Sequence, residues 1–253
     1  MGKYFNIKIN PDIVNGDISN VIAANGTDAP FANNDVLFDW TKFEIPTSCK
    51  LTGITVVVNG EDGVAQTAKD IELIFAKDIN NIAPTTIGVV NATATALNIQ
   101  NHVIGGLTID KENGVFGTDS CAIFSSSVGS ADGGHSAIVL DSDPLTTGVQ
   151  EVYIAGIATG AMDFSTGVLA NAAVTAAAAA TATTGIVVKT VDPRLCFSVG
   201  DTVYIMDVDV PIGTVKALTD NDVILNAANV GAIAEDDELI NANPFKITLH
   251  CEM

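Results

Sequence analysis

The chain has 253 residues, of which 47% are hydrophobic and 16% charged, a composition that excludes intrinsic disorder and allows one large domain or two smaller ones. Its 30 acidic and 11 basic residues give a formal net charge of -19, and Arg194 is its only arginine. Contact with nucleic-acid phosphates or anionic membranes requires clustered basic residues, so we expect neither nucleic acid nor a membrane as a partner.

The N-terminal residues show no apolar segment of the secretory type, which predicts a chain made in the cytosol. The uncharged stretch 164–188 consists mostly of Ala, Thr, Gly and Ser, which favour water over lipid, so we interpret it as soluble. The cysteines are far apart and form no metal-binding spacing, which predicts reduced, buried thiols and no zinc or other cofactor. These cysteines are Cys49, Cys121, Cys196 and Cys251.

Alternating apolar and polar residues predict short strands throughout the first 160 residues. Residues 11–34 are rich in Pro, Gly and Asn and predict a loop with a short helix near 18–24. A phase slip in the second strand predicts a β-bulge around Thr41 and Lys42, beside a core-anchoring Trp40. Eight strands at this spacing favour a jelly-roll-like β-sandwich. The predicted strands are 3–9, 35–46, 50–60, 69–78, 104–111, 119–128, 136–142 and 149–158.

The character of the sequence changes after residue 160. An Ala/Thr tract at 170–184 is compatible with a helix or an extended linker. Tight turns and short β-branched runs then predict an SH3-like small β-barrel subdomain. Its predicted strands are 185–191, 202–207, 211–219 and 222–226.

The last residues, 243–253, resume the alternation of the first strand. We therefore predict a main sandwich formed by 1–160 plus 243–253, with 161–242 as an inserted linker and barrel. The first and last strands are expected to be neighbours or to lie in facing sheets.

Motifs for enzymatic chemistry are missing from the sequence. It contains no Gly-x-Ser-x-Gly, no P-loop and no dinucleotide-binding glycine motif, and scarce aromatic residues disfavour a paired-carboxylate glycosidase. His135 follows a flexible Asp-Gly-Gly turn and has no evident orienting partner. His250 falls on the face opposite the apolar residues of its strand and is expected to meet solvent or a partner. We assign no catalytic residues and predict a protein that is not an enzyme.

Two Asp-x-Asp pairs allow a calcium hypothesis, because carboxylate oxygens are ligands that calcium prefers. They are Asp141/Asp143 and Asp207/Asp209. Neither pair belongs to a twelve-residue calcium loop, and polar turn chemistry explains both equally well.

The sequence resembles virion structural proteins of tailed bacteriophages, particularly those of marine and cyanobacterial hosts. The resemblance is carried by the signal-free β-rich body, by "FSVGDTVYIMD" with "PIGTVKALTDNDVILN", and by the closing "NPFKITLHCE". It covers the chain loosely and 185–252 best. It implies a capsid decoration (cement) protein on the virion surface, a dimer or trimer that binds the major capsid protein and needs no catalytic residues.

The sequence is also compatible with two other kinds of function. Within the same class, the chain is compatible with a neck, tail or fibre component, although repeats and heptads are missing. From another class, a carbohydrate-binding β-sandwich adhesin is the alternative.

Overall fold

The computed structural model describes residues 2–20, 22–23, 27–28, 30–59, 70–95, 99–110, 114–117, 121–128, 138–143, 149–162, 180–181, 184–188, 192–205, 208–228, 232–235 and 237–253. Two short 3-10 turns, Ile18–Asn20 and Pro193–Leu195, are its helical elements, and no α-helix occurs in the described residues. The all-β fold is therefore confirmed, and the short helix predicted near 18–24 is a single turn.

The described residues form nineteen strands. They are β1 (Tyr4–Ile9), β2 (Ile22–Ala23), β3 (Thr27–Asp28), β4 (Val36–Ile45), β5 (Cys49–Asn59), β6 (Ile71–Lys77), β7 (Val103–Ile109), β8 (Gly114–Gly117), β9 (Cys121–Ser127), β10 (Ile138–Leu140), β11 (Gln150–Ala158), β12 (Ala180–Thr181), β13 (Gly185–Val187), β14 (Thr202–Ile205), β15 (Val208–Leu218), β16 (Asp222–Leu225), β17 (Ala232–Ile233), β18 (Leu239–Asn241) and β19 (Phe245–Glu252).

Eight of these strands have the order of a jelly roll. In chain order, the first pairs with the eighth, the second with the seventh, the third with the sixth and the fourth with the fifth: β1 with β19, β4 with β11, β5 with β9, and β6 with β7. All four pairs are antiparallel, and β19–β5 and β11–β6 join them side by side. A ribbon of strand pairs wound in this way is a jelly roll, so the predicted sandwich type is confirmed.

The roll has two sheets. The front sheet has the order β1-β19-β5-β9-β8, with β10 beside β5, and the back sheet has the order β4-β11-β6-β7. The two terminal strands are direct neighbours in the front sheet, with Phe5 opposite Cys251 and Ile7 opposite Leu249. Their shared alternation arises because both contribute one apolar face to the same core.

Phenylalanine side chains join the two sheets at the centre of the roll. Phe38 of the back sheet and Phe245 of the front sheet are fully buried, with ring centroids 5.9 Å apart and planes inclined by 53°. Trp40, predicted as a core anchor, is instead half-buried at the margin of this core, and its Nε1 donates to the Thr85 carbonyl. The large side chains at the centre of the core are therefore phenylalanines and not the tryptophan.

The bulge predicted at Thr41 and Lys42 lies slightly earlier in β4. Ile154 of β11 pairs with Thr41, whereas Gly156 pairs with Phe38, so β4 carries an extra residue between these positions. The bulge brings the Phe38 ring against the Gly156 backbone, where a Cβ would lie 2.6 Å from Phe38 Cζ. Glycine is therefore required here by close packing.

Replacing Gly156 with alanine is expected to lower the free energy of unfolding by about 1–3 kcal/mol, because the added methyl overpacks the Phe38 site. Urea denaturation would measure it. Gly185→Ala is the matched control, since no heavy atom lies within 4 Å of its added Cβ. Equal losses in the two variants would contradict the steric explanation.

A third sheet, here called the side sheet, has the order β13-β16-β15-β14-β18. Among the described residues no pairing joins β13 to β18, so the expected small barrel is corrected to an open sheet. Closing a barrel requires its two edge strands to pair, and here the β18 edge leads directly into β19 of the roll.

The side sheet has its own hydrophobic cluster, which includes Val203, Val215 and Leu225. The paired residues Tyr204 and Ile240 point to the other face and belong to the core of the roll. The side sheet thus has one face in its own hydrophobic cluster, while Tyr204 and Ile240 on its other face reach the core of the roll. The exact bounds of the insert, 161–242, stay a prediction.

Candidate functional site

A hydrogen-bonded row crosses the outer face of the front sheet. It consists of Asn6, His250, Thr55 and Ser125, one residue from each of β1, β19, β5 and β9, and is called the polar row below. Alternation within each strand sends these side chains outward while their neighbours enter the core. His250 thus lies opposite the apolar face, as its sequence position predicts.

The geometry of the polar row is continuous. His250 Nδ1 lies 3.0 Å from Asn6 Oδ1, and Nε2 lies 3.1 Å from Thr55 Oγ1, which is 3.3 Å from Ser125 Oγ. With the amide oxygen of Asn6 as acceptor, Nδ1–H of the neutral ring donates to it and Nε2 accepts from the Thr55 hydroxyl. Both ring nitrogens of His250 are therefore engaged within the sheet.

A shallow groove of about 410 Å³ runs beside this row. Hydroxyl groups dominate its lining, and Gly53, opposite His250, leaves its floor open. The lining residues are Thr52, Gly53, Ile54, Thr55, Ser125, Ser126, Ser127 and His250. This face offers hydrogen-bonding groups with little charge.

The order Thr55–His250–Asn6 has the sequence of roles found in a nucleophile, a base and its orienting residue. Acyl transfer also requires backbone N–H groups aimed at a developing oxyanion. The strand that carries Thr55 is hydrogen-bonded to a strand on each side, so its N–H groups in this region serve the ladder. The N–H groups beside Thr55 are therefore already engaged in the sheet and are not free to act as oxyanion donors.

A second polar group, called the polar junction, lies between the roll and the side sheet. It comprises Asp201, Asn241, Asn243 and Lys246, and the first three are at most 5% exposed. Lys246 Nζ, on β19, donates to Asp201 Oδ1 and to the Asn243 carbonyl. An ion pair between Lys246, whose side chain is 19% exposed, and the fully buried Asp201 thus links the front sheet to the residue just before β14 of the side sheet.

Every member of the polar junction is satisfied by hydrogen bonds. Asp201 Oδ2 accepts from the Ser198 amide at 2.8 Å and from Asn241 Nδ2 at 2.7 Å. Asn243 accepts from the Thr202 amide at 2.7 Å, and its Nδ2 donates to two carbonyls just after β1, those of Asn10 and Pro11. A fully connected buried network of this kind fixes one relative orientation.

Burial lowers the pKa of Lys246 from its ordinary value, and the neighbouring Asp201 carboxylate opposes this only in part. The unfavourable free energy of removing the ammonium group from water therefore exceeds the favourable free energy of its ion pair.

The aspartates of the calcium hypothesis bind loop groups instead. Asp141 Oδ1 accepts from the Ser48 hydroxyl at 2.5 Å and Asp143 Oδ2 accepts from the Asn80 amide at 2.7 Å. Asp209 Oδ1 accepts from the Ile18 amide at 3.0 Å. The described residues bring together no three His, Cys, Asp or Glu side chains that fit a metal ion. These contacts join residues 63 to 191 positions apart, so they are tertiary hydrogen bonds and not the local turn contacts that the sequence suggested.

Some sequence predictions fall outside the described residues. They are His135, Asp207 and most of the Ala/Thr tract 170–184. In the part of the chain that is described, no helix is long and apolar enough to cross a membrane.

Cys49, Cys196 and Cys251 are buried thiols, as the sequence predicts; the side chain of Cys121 lies outside the described residues. Burial is the main cause that raises the pKa of the Cys196 thiol to about 12, with the Asp192 charge adding to it.

The raised pKa of Cys196 predicts a loss of stability at alkaline pH. Above about pH 8.5 the unfolded thiol ionises while the folded thiol stays protonated, so the unfolded state binds fewer protons and stability falls as pH rises. Between pH 8 and 10 wild type is expected to lose about 2 kcal/mol more than Cys196→Ala. Urea denaturation at both pH values measures the difference. Parallel pH profiles of the two proteins would contradict it.

No family model matches the chain, and no curated protein matches it. Among solved structures, the chain is similar to the crystal structure of the infectious bursal disease virus VP2 subviral particle, with 8% sequence identity and a TM-score of 0.17. The match covers 100% of this chain, which spans 41% of the VP2 chain. A TM-score this low carries no argument, so the fold assignment rests on the strand order itself.

The sequence placed His250 on the outer face of its strand but did not predict the polar row, because it named no partner for this residue. The one local signal of the row is the outward polar alternation in the four strands. The polar junction left a weaker signal, the polar residues Asn241 and Asn243 within an otherwise apolar segment.

Proposed function

We propose that the chain is a non-enzymatic virion structural protein that decorates the capsid exterior of a tailed bacteriophage and bridges subunits of the major capsid protein. The observation that carries this proposal is the polar junction. It holds the side sheet against the roll through an ion pair with the buried Asp201 and side-chain amide hydrogen bonds. Two β-sheet bodies held at a fixed angle are suited to binding two neighbouring subunits at once.

A protein that bridges two capsid subunits stabilises the contact between them. An interface of standard size buries about 1,600 Å² in total, and a protein that binds two subunits converts the second contact into an intramolecular one. Summed over a capsid lattice, modest interfaces then resist internal pressure. The net charge of -19 further disfavours binding to the packaged DNA.

The test is quantitative mass spectrometry of purified virions, combined with electron microscopy of the same particles. A copy number that matches the capsid lattice, with density outside the shell, is expected. A copy number as small as that of a single ring of subunits would assign the chain to a neck or tail. Absence from the particle would overturn every virion role.

One observation favours the adhesin alternative, the hydroxyl-lined groove beside the polar row. Jelly rolls also occur in lectins. The described groove lining contains no Trp, Tyr or Phe ring of the kind that sugar-binding sites commonly pack against a pyranose face. Specific binding on a glycan array, lost in Ser125→Val and Thr55→Val variants, would favour the adhesin.

A further inference from the structure

The first strand, β1, forms an open edge of the front sheet. Among the described strands it pairs with β19 alone, on one side, and its register there has no bulge. Lys3 and Met253 exchange both backbone hydrogen bonds, so the alternation of an antiparallel ladder directs the backbone groups of Phe5, Ile7 and Ile9 toward β19. The N–H and C=O groups of Tyr4, Asn6 and Lys8 therefore point away from the sheet.

These three residues leave six backbone groups at the open edge. No hydrogen bond from the rest of the described chain reaches them. Natural sheets protect such edges with proline, charged side chains, bulges or very short strands. β1 spans six residues and has one such device, the charge of Lys8 near its end, so the backbone groups of Tyr4 and Asn6 remain competent to pair with another strand.

The side chains of β1 are also incompletely covered. Phe5 and Ile7 face the core but are only half-buried there, and Tyr4 on the outer face is 73% exposed. A strand added to this edge would cover the remaining apolar surface of Phe5 and Ile7.

We propose that a second copy of this chain adds its own β1 to this edge, antiparallel across a two-fold axis centred on Asn6. This register pairs Tyr4 with the partner's Lys8 and Asn6 with the partner's Asn6. It satisfies all six backbone groups of each copy within β1, with six hydrogen bonds between the chains. It also places Phe5 opposite the partner's Ile7, so that the half-buried side chains cover one another.

The charges of the strand favour this occupant. Lys8 is the only charged residue of β1, and the two-fold register sets it opposite a tyrosine instead of the partner's Lys8. Tyr4 in turn lies opposite Glu252 of β19. Each lysine therefore approaches an aromatic ring backed by a carboxylate, on both sides of the axis.

This proposal is independent of a virion role. The test is sedimentation velocity of the full chain across a concentration series. Wild type is expected to reach twice the monomer mass of 26.1 kDa. Asn6→Pro removes an outward N–H and leaves the β1–β19 ladder intact, because proline is tolerated on an edge. It should weaken dimerisation about 100-fold or more, since two central hydrogen bonds are lost and the proline ring blocks the edge.

Asn6→Ala is the matched control, because it loses the same side chain, including the bond to His250, but keeps the backbone N–H. It should remain dimeric. The proposal would be overturned if the wild type stayed monomeric up to about 200 μM or formed a trimer. It would also be overturned if Asn6→Pro dimerised as tightly as the wild type.

A cross-linking experiment decides the case if Asn6→Pro does not fold. In a Cys121→Ser background, Asn6→Cys places two thiols on directly opposed residues, about 5.5 Å apart at Cα, a distance that a disulfide spans. Oxidised glutathione accepts the two electrons and two protons of the thiols and is reduced, while the disulfide forms between the chains. Thr248→Cys, one strand inward on the same face, should give no dimer. Equal cross-linking of both variants would reject the register.

Discussion

Replacing Lys246 with methionine is expected to lower the free energy of unfolding by about 3–5 kcal/mol. The change leaves the Asp201 carboxylate, which is 0% exposed, without its counter-charge. The remaining donors to Asp201, the Ser198 amide and Asn241 Nδ2, hydrogen-bond its other oxygen. Chemical denaturation followed by circular dichroism and Trp40 fluorescence would measure the loss.

Lys42→Met provides the matched control for this prediction. Lys42 pairs with Glu151 at 2.8 Å, but its side chain is 52% exposed, so its loss should cost less than about 1 kcal/mol. Adding Asp201→Asn to Lys246→Met should recover part of the stability, because no buried charge then remains without a partner. Equal effects of Lys246→Met and Lys42→Met would show that the Asp201 carboxylate is not buried in solution.

Replacing Phe245 with alanine is expected to lower the free energy of unfolding by about 3–5 kcal/mol. Phe245 is fully buried and packs against Phe38 of the opposite sheet, so its removal opens a cavity between the two sheets. The residue lies at the start of the last strand, far along the chain from the first 160 residues. A large loss would therefore show that the C-terminal strand is integral to the roll.

The control is Ile82→Ala, which shortens a large apolar side chain that is 64% exposed. Its effect should stay within about 0.5 kcal/mol. If Phe245→Ala were equally mild, β19 would not be part of the folded core, and the jelly-roll order would be wrong.

Local pattern alone predicted the longer strands of this protein, whereas the short strands β2, β3, β8, β12, β17 and β18 were missed. The alternation in 3–9 and 243–252 indicated two similar strands because one face of each must leave water. The prediction that they lie close together followed from the same pattern. Acidic charge, cysteine spacing and missing motifs set the classes of function to consider.

The order of the strands and the closure of the sheets could not be predicted from the local sequence. A bulge predicted at Thr41 lies nearer to Trp40, because its position depends on how the Phe38 ring meets Gly156 on another strand. The side sheet looked like a barrel since short strands with tight turns are common to both forms. Its openness depends on the edge strands, which sequence spacing does not position.

The sequence by itself determined that this chain forms β-strands, with its two ends in the same body. Only the tertiary structure decided which strands pair, and hence the polar row, the polar junction and the open β1 edge. The reason is that His250 meets Asn6 and Thr55, and Lys246 meets Asp201, across separations of 45 to 244 residues. Such contacts are set by register and packing between strands, and no local pattern encodes them.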